Sequence, residues 1–349
     1  MGNASRAQAP DPPVEDTVHE AHGCRMPDPY AWLRTSNWQA ALKDPAQLDE
    51  SIRAYLEREN AYTAQVLEPV TGLRGHLKGE LRARIPERDA TVPMPDGPYA
   101  YYLRYVEDQQ HPLYCRCPSD GDRSKEQILL DGNAAAEGQD FFKVGAAAHS
   151  PDHTKFAYSV DLTGSEYHRL RVRDLTDGTE RDLGVDTAQG DLVWSNDGRT
   201  LIYTALDDHH RPNRVYRVSL EGAPALIYEE PDAAMYLGVA KTESRRFVVI
   251  AGADHSDTAE ARLLDADAPE GTPRLVRERE TGLDYAVAEH DGRLILLTNQ
   301  GGAIDYKIVS APLDGAHDPA SWTEIVPYRS GVLIKDMVVR KHHLIRLEL

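Results

Sequence analysis

Residues 150–178 read SPDHTKFAYSVDLTGSEYHRLRVRDLTDG, and this stretch decides the fold. Ser150, Pro151 and Asp152 are turn chemistry, and 155–160 then alternates with Phe156, Tyr158 and Val160 on one face. A polar turn at 161–165 leads into a second alternating run at 167–172, which ends near the Asp177-Gly178 turn. The pattern predicts one antiparallel hairpin with one buried face.

The chain keeps repeating it. Trp194-Ser195-Asn196-Asp197-Gly198 precedes the run 200–206, Ala240-Lys241-Thr242-Glu243 precedes 247–251, and Ala288-Glu289-His290-Asp291-Gly292 precedes 294–298. Ser150 to Ser195 is 45 residues, Ser195 to Lys241 is 46, and Lys241 to Glu289 is 48. A period of about 40–50 residues with several short strands each is the signature of propeller blades. Solenoids of helix pairs share that period, but these runs alternate with a period of two and are broken by Gly, Asp and Pro. The expected fold is mainly β, a β-propeller with an N-terminal helical extension.

Outward from the repeats, residues 1–27 are rich in Pro and charge and read as extended or partly disordered. The span 28–85 reads as a helical extension: DPYAWL at 28–33 is an aromatic anchor, and Asp44-Pro45 has the form of an N-cap and first helical residue. Leu48, Ile52, Tyr55, Tyr62 and Val66 then share one helical face, interrupted by Glu59. Leu73, Leu77, Leu81 and Ile85 recur every four residues, and Pro86 stops that second helix. Residues 86–349 read as an incomplete propeller: a first blade from 99–105, 113–116 and 127–130, four more at the spacing above, and the start of a sixth at 332–339.

Composition narrows the function. The 349 residues carry 39 basic and 57 acidic side chains, a net charge of −18, which disfavours nucleic acid and anionic membranes as partners. It suits a cationic substrate, and equally suits solubility alone. Cys24, Cys115 and Cys117 form no disulfide framework, and no apolar run approaches the eighteen or so residues of a membrane span. With no hydrophobic leader, the expected location is cytoplasmic. No metal or cofactor is expected. Adjacent histidines at 209–210 and 342–343 point to opposite faces of a strand, and Asp207-Asp208 reads as a solvated turn.

Several long segments carry a resemblance: DPYAWL (28–33), YLERENAY (55–62), LLDGNAAAEGQDFFKVG (129–145), the stretch 150–175, LIYTALDDHHRPNRVYR (201–217) and LTNQGGAIDYKIVSAP (297–312). Together they resemble the prolyl oligopeptidase family of serine peptidases, most of all its oligopeptidase B branch. Val218 departs from that branch, which usually carries His there. The resemblance implies a seven-bladed propeller capping a C-terminal α/β-hydrolase domain, with the N-terminal helices packed on the latter. It implies hydrolysis of short peptides after Lys or Arg by a Ser–Asp–His triad. No G-x-S-x-G elbow occurs in these 349 residues, so no catalytic residue is expected in the chain, which would be the gating half alone. The site expectations are Asp161 and Glu166, flanking the Gly164 turn; the resemblance places Glu166 on the surface facing the hydrolase, where an Arg can pair with it. A plain exposed turn carboxylate is the competing reading. The competing function is a non-catalytic propeller scaffold, against which stand the absence of a WD dipeptide and a single Gly-Gly pair, Gly301-Gly302.

Overall fold

The computed structural model describes residues 7–255 and 258–349. They fall into two compact units, Met1–Gly138 and Gln139–Leu349. The division lies after the first four-stranded sheet.

The first unit opens with a hairpin, β1 (Val18–Ala21) against β2 (Cys24–Pro27), inside the stretch read as extended. His22 and Gly23 at its tip have φ of 53° and 75°, the two successive positive values of a type I′ turn. Helices follow at α1 (Trp38–Lys43), α2 (Glu50–Leu67) and α3 (Thr71–Arg82). Asp44 does not start the long helix. It caps only the 3-10 turn Pro45–Gln47, after which Leu48 and Asp49 are extended (ψ 136° and 134°). Asp49 is the true N-cap, accepting from Ser51 N at 2.9 Å. On α2, Ile52 is buried, Tyr55 and Tyr62 are half-buried, and Tyr55 donates to the interrupting Glu59 at 2.6 Å. Trp32 of the aromatic anchor meets the Tyr55 ring edge-on at 5.5 Å. The α3 ladder behaves differently: Leu73, Leu77 and Leu81, with Ile85 beyond the helix, are all exposed.

The first sheet joins β3 (Met94–Asp96), β4 (Tyr99–Arg104), β5 (Leu113–Pro118) and β6 (Gln127–Asp131) in sequence order, and the short helix α4 (Gly132–Ala136) closes it. Cys115 and Cys117 are buried on β5 beside Ala100 and Tyr102, and burial pushes the Cys115 thiol up to about 12.

The second unit holds four more antiparallel four-stranded sheets and a two-stranded one, each in sequence order. They are β7 (Lys143–His149), β8 (Lys155–Asp161), β9 (Arg169–Asp174) and β10 (Glu180–Asp182); β11 (Val193–Trp194), β12 (Thr200–Leu206), β13 (Pro212–Ser219) and β14 (Ala225–Glu229); β15 (Tyr236–Lys241), β16 (Phe247–Ala253), β17 (Ala259–Asp265) and β18 (Arg274–Leu275); β19 (Tyr285–His290), β20 (Arg293–Thr298), β21 (Lys307–Pro312) and β22 (Thr323–Val326); then β23 (Ile334–Arg340) with β24 (His343–Glu348).

The hairpin expectation needs one correction. β8 is buried from Phe156 through Asp161, and every residue of β12 is buried, so these strands have no solvent face. The reason is that sheets stack on sheets. Leu201 and Tyr203 of β12 share a core with Ala157, Leu170 and Val172 of the preceding sheet, whereas Ile202 joins Leu237, Val248 and Ile250 of the following one. Val218, where the resemblance broke, lies buried in the first of these cores.

Candidate functional site

Second strands run toward one end of the unit, so the loops from second to third strands and from fourth strands to the next sheet gather there. The loop between β8 and β9 carries both expected site residues. Asp161 does not face outward: it is 1% exposed and organises the loop from within. Its carboxylate accepts from the backbone N–H of Thr163 (2.9 Å), Gly164 (3.0 Å) and Glu166 (2.8 Å). This is the Asx geometry that makes a short polar loop rigid.

Glu166 is exposed, with φ 64°, and its carboxylate makes no hydrogen bond or ion pair among the described residues. A left-handed non-glycine residue costs roughly 1–2 kcal/mol. Asp161 holds its N–H, and His168 Nδ1 lies 2.9 Å from its carbonyl oxygen. That conformation also explains why β9 begins at Arg169 rather than at Tyr167, since residues 166–168 belong to the turn and an isolated bridge to Ala188.

The loop is tied to its neighbour. Tyr167 Oη donates to the Asp207 carbonyl at 3.3 Å, and the Tyr167 and His210 rings meet edge-to-face at 4.3 Å. Asp207 is not a solvated turn residue. Its carboxylate accepts from His209 N (2.8 Å), Arg211 N (2.9 Å) and Arg211 Nε (3.2 Å), and is 11% exposed. Burial alone would raise the Asp207 carboxyl; the Arg211 and His209 N–H groups and the Arg211 guanidinium outweigh it and hold it below the ordinary range.

Arg211 continues the chain of contacts, donating from Nη1 to the Asp232 carbonyl at 2.6 Å. Arg279 then reaches Glu230 at 2.7 Å, Asp232 at 3.2 Å and Glu260 at 3.9 Å. Glu260 also accepts from Arg262 at 2.8 Å. In this chain of contacts Arg211, Arg262 and Arg279 engage Asp207, Glu230, Asp232 and Glu260, and the Glu166 carboxylate is added, unpaired among the described residues, so carboxylates outnumber guanidiniums. The local field favours a cation. Sequence reading missed Arg211, Glu230, Asp232, Glu260 and Arg279; the visible signal was the Glu229-Glu230-Pro231-Asp232 run at a sheet junction.

The Ser150–Asp152 cluster beside His149 and His153 mimics a triad without assembling a nucleophile. Ser150 donates to Asp152 at 2.5 Å beside His149 and His153, but Ser150 is fully buried and serves its own turn. No group of three or more His, Cys, Asp or Glu with metal-site geometry occurs among the described residues. No described helix is long and apolar enough to cross a membrane.

The antiparallel four-stranded sheets of the second unit follow one another in sequence order and share cores with their neighbours, which is the architecture of a β-propeller. The chain belongs to the prolyl oligopeptidase family: the family described as "Prolyl oligopeptidase, N-terminal beta-propeller domain" matches residues 10–349. It is 31% identical over 351 residues to dipeptidyl aminopeptidase BI of Pseudoxanthomonas mexicana, covering 95% of this chain and 47% of that protein. It is 27% identical to protease 2 of Moraxella lacunata, covering 91% and 45%. Among solved structures, oligopeptidase B from Leishmania major superposes with a TM-score of 0.85 at 27% identity, covering 98% of this chain and 49% of that one. The chain therefore spans about half the length of the relatives it matches.

Proposed function

We propose that this chain is the gating propeller of a serine-type oligopeptidase of the oligopeptidase B kind, acting on short peptides after Lys or Arg, in the cytoplasm. The Ser–Asp–His chemistry resides in a C-terminal α/β-hydrolase half, which the 349-residue chain does not supply, so alone it is inactive. The observation that carries the reading is the acidic loop end, with Glu166 held outward and its carboxylate unpaired among the described residues. Glu166 meets an arginine of the hydrolase half, Asp161 shaping the loop that presents it. The exposed ladder Leu73, Leu77, Leu81 and Ile85 gives the helical extension an apolar face for the same half.

The test compares this chain with the complete polypeptide on lysyl and arginyl reporter peptides. The expected outcome is cleavage by the complete polypeptide only, reduced in Glu166→Gln at low salt and less so at high salt. Turnover by the 349-residue chain, blocked by a serine-reactive inhibitor, would overturn it. The similarity to a dipeptidyl aminopeptidase favours a second reading, stepwise release of dipeptides. Acetylating the substrate N-terminus separates the two, since only the stepwise activity would be lost.

A further inference from the structure

The loop that presents Glu166 ends at His168, a side chain with no place in the proposed chemistry. It is 5% exposed. Its Nδ1 lies 2.9 Å from the Glu166 carbonyl oxygen, which can only accept, so Nδ1 carries the proton of this contact. Nε2 is buried and finds no hydrogen-bond partner among the described residues.

The surroundings fix the ring. His168 exchanges backbone hydrogen bonds with Ala188 at 2.8 and 3.2 Å. Two glycines press on the imidazole: a methyl group at Gly145 would stand 2.9 Å from Nε2, and one at Gly190 would stand 3.2 Å from the ring. Gly190 has φ 130°, a conformation few other residues adopt, and Ser159 Oγ pins its carbonyl at 2.6 Å. The ring therefore sits in a buried seat, and among the described residues its hydrogen bond goes to the Glu166 carbonyl.

We propose that His168 is a positioning residue: with Asp161 it clamps Glu166 on both sides of its Cα, through the N–H and the C=O, and so fixes the direction in which the Glu166 side chain leaves the loop. A left-handed residue persists only where its surroundings over-determine it. Here two buried side chains do so, one a carboxylate oxygen accepting from the N–H and the other an imidazole nitrogen donating to the C=O. The arrangement suits presentation of a carboxylate to a guanidinium whose geometry is fixed. What Glu166 touches rests on the proposed function; the clamp itself does not.

The test uses His168→Asn, which keeps an N–H donor near the Nδ1 position, and His168→Leu, which removes it. Amide hydrogen exchange at residues 162–167 of this chain should quicken about fivefold in the Leu variant, the worth of one hydrogen bond of roughly 1 kcal/mol. The Asn variant should stay within about twofold of the parent. In the complete polypeptide, kcat/KM of the Leu variant should fall to that of Glu166→Gln, with no further fall in the double variant, as for two residues acting through one contact. Unchanged exchange at 162–167 in the Leu variant, or an additive fall in the double variant, overturns the clamp. If exchange quickens as expected while Glu166→Gln turns over normally, the clamp stands and the contact assigned to Glu166 fails. Global unfolding of the Leu variant would leave the decision to the Asn variant: native exchange and turnover there support the clamp, and loss of both overturns it.

Discussion

At the residue scale, carboxylates in turns carry much of the local order. Asp152 is the sharpest case. Burial opposes its ionisation, but the Ser150 hydroxyl, the Thr154 N–H and hydroxyl, and the Lys155 ammonium outweigh burial and lower the group to about 2. A carboxyl depressed on folding adds stability that is present above its unfolded value near 4 and is lost as pH falls through the folded value near 2. Asp152→Asn should therefore be less stable than the parent at neutral pH, with the gap closing between about pH 4 and pH 2. Urea unfolding at pH 7, 4 and 2 checks it; a constant gap would mean the charge is not what matters. The turn itself was legible in Ser150-Pro151-Asp152. The inward role of Asp161 and Asp207 was not, because an aspartate that accepts its own loop's N–H groups and one that faces water look alike in sequence.

At the scale of elements, the two apolar helical stripes read the same in sequence and differ in the structure. Ile52 is 5% exposed on α2, whereas Leu77 is 46% exposed on α3. Periodicity reports that a helix has an apolar face; what covers that face depends on groups distant in sequence. Leu77→Ala should accordingly change the stability of this chain by less than about 0.5 kcal/mol, while Ile52→Ala should cost about 2–5 kcal/mol. Chemical denaturation of both variants decides, and a large loss from Leu77→Ala would show that the ladder is already covered. The displaced start of α2 has a similarly local cause: Asp44-Pro45 and Asp49-Ser51 are both sound caps five residues apart, and the second one begins the long helix.

At the scale of the molecule, the 45- to 48-residue spacing was enough to read the order of the sheets, because each unit repeats its turn chemistry before its second strand. The depth of burial was less legible: strict alternation in 155–160 implied one wet face, and stacking removed it. Neighbouring residues of β12 consequently answer to different partners. Leu201→Ala should quicken amide exchange in β8 and β9, and Ile202→Ala should quicken it in β15 and β16, each at a cost of about 2–5 kcal/mol. The reverse pattern would contradict the packing.

That division of one strand between two cores sets what heredity can do with this repeat. The sequence unit ends in the loops, but the packing unit ends in the mid-plane of a sheet, between the side chains above it and those below. A duplication or exchange of one 45-residue module inherits only half of each interface it needs, the other half being written in its neighbours. Such modules should drift in pairs, each β12-like strand changing on one face with the blade before it and on the other with the blade after.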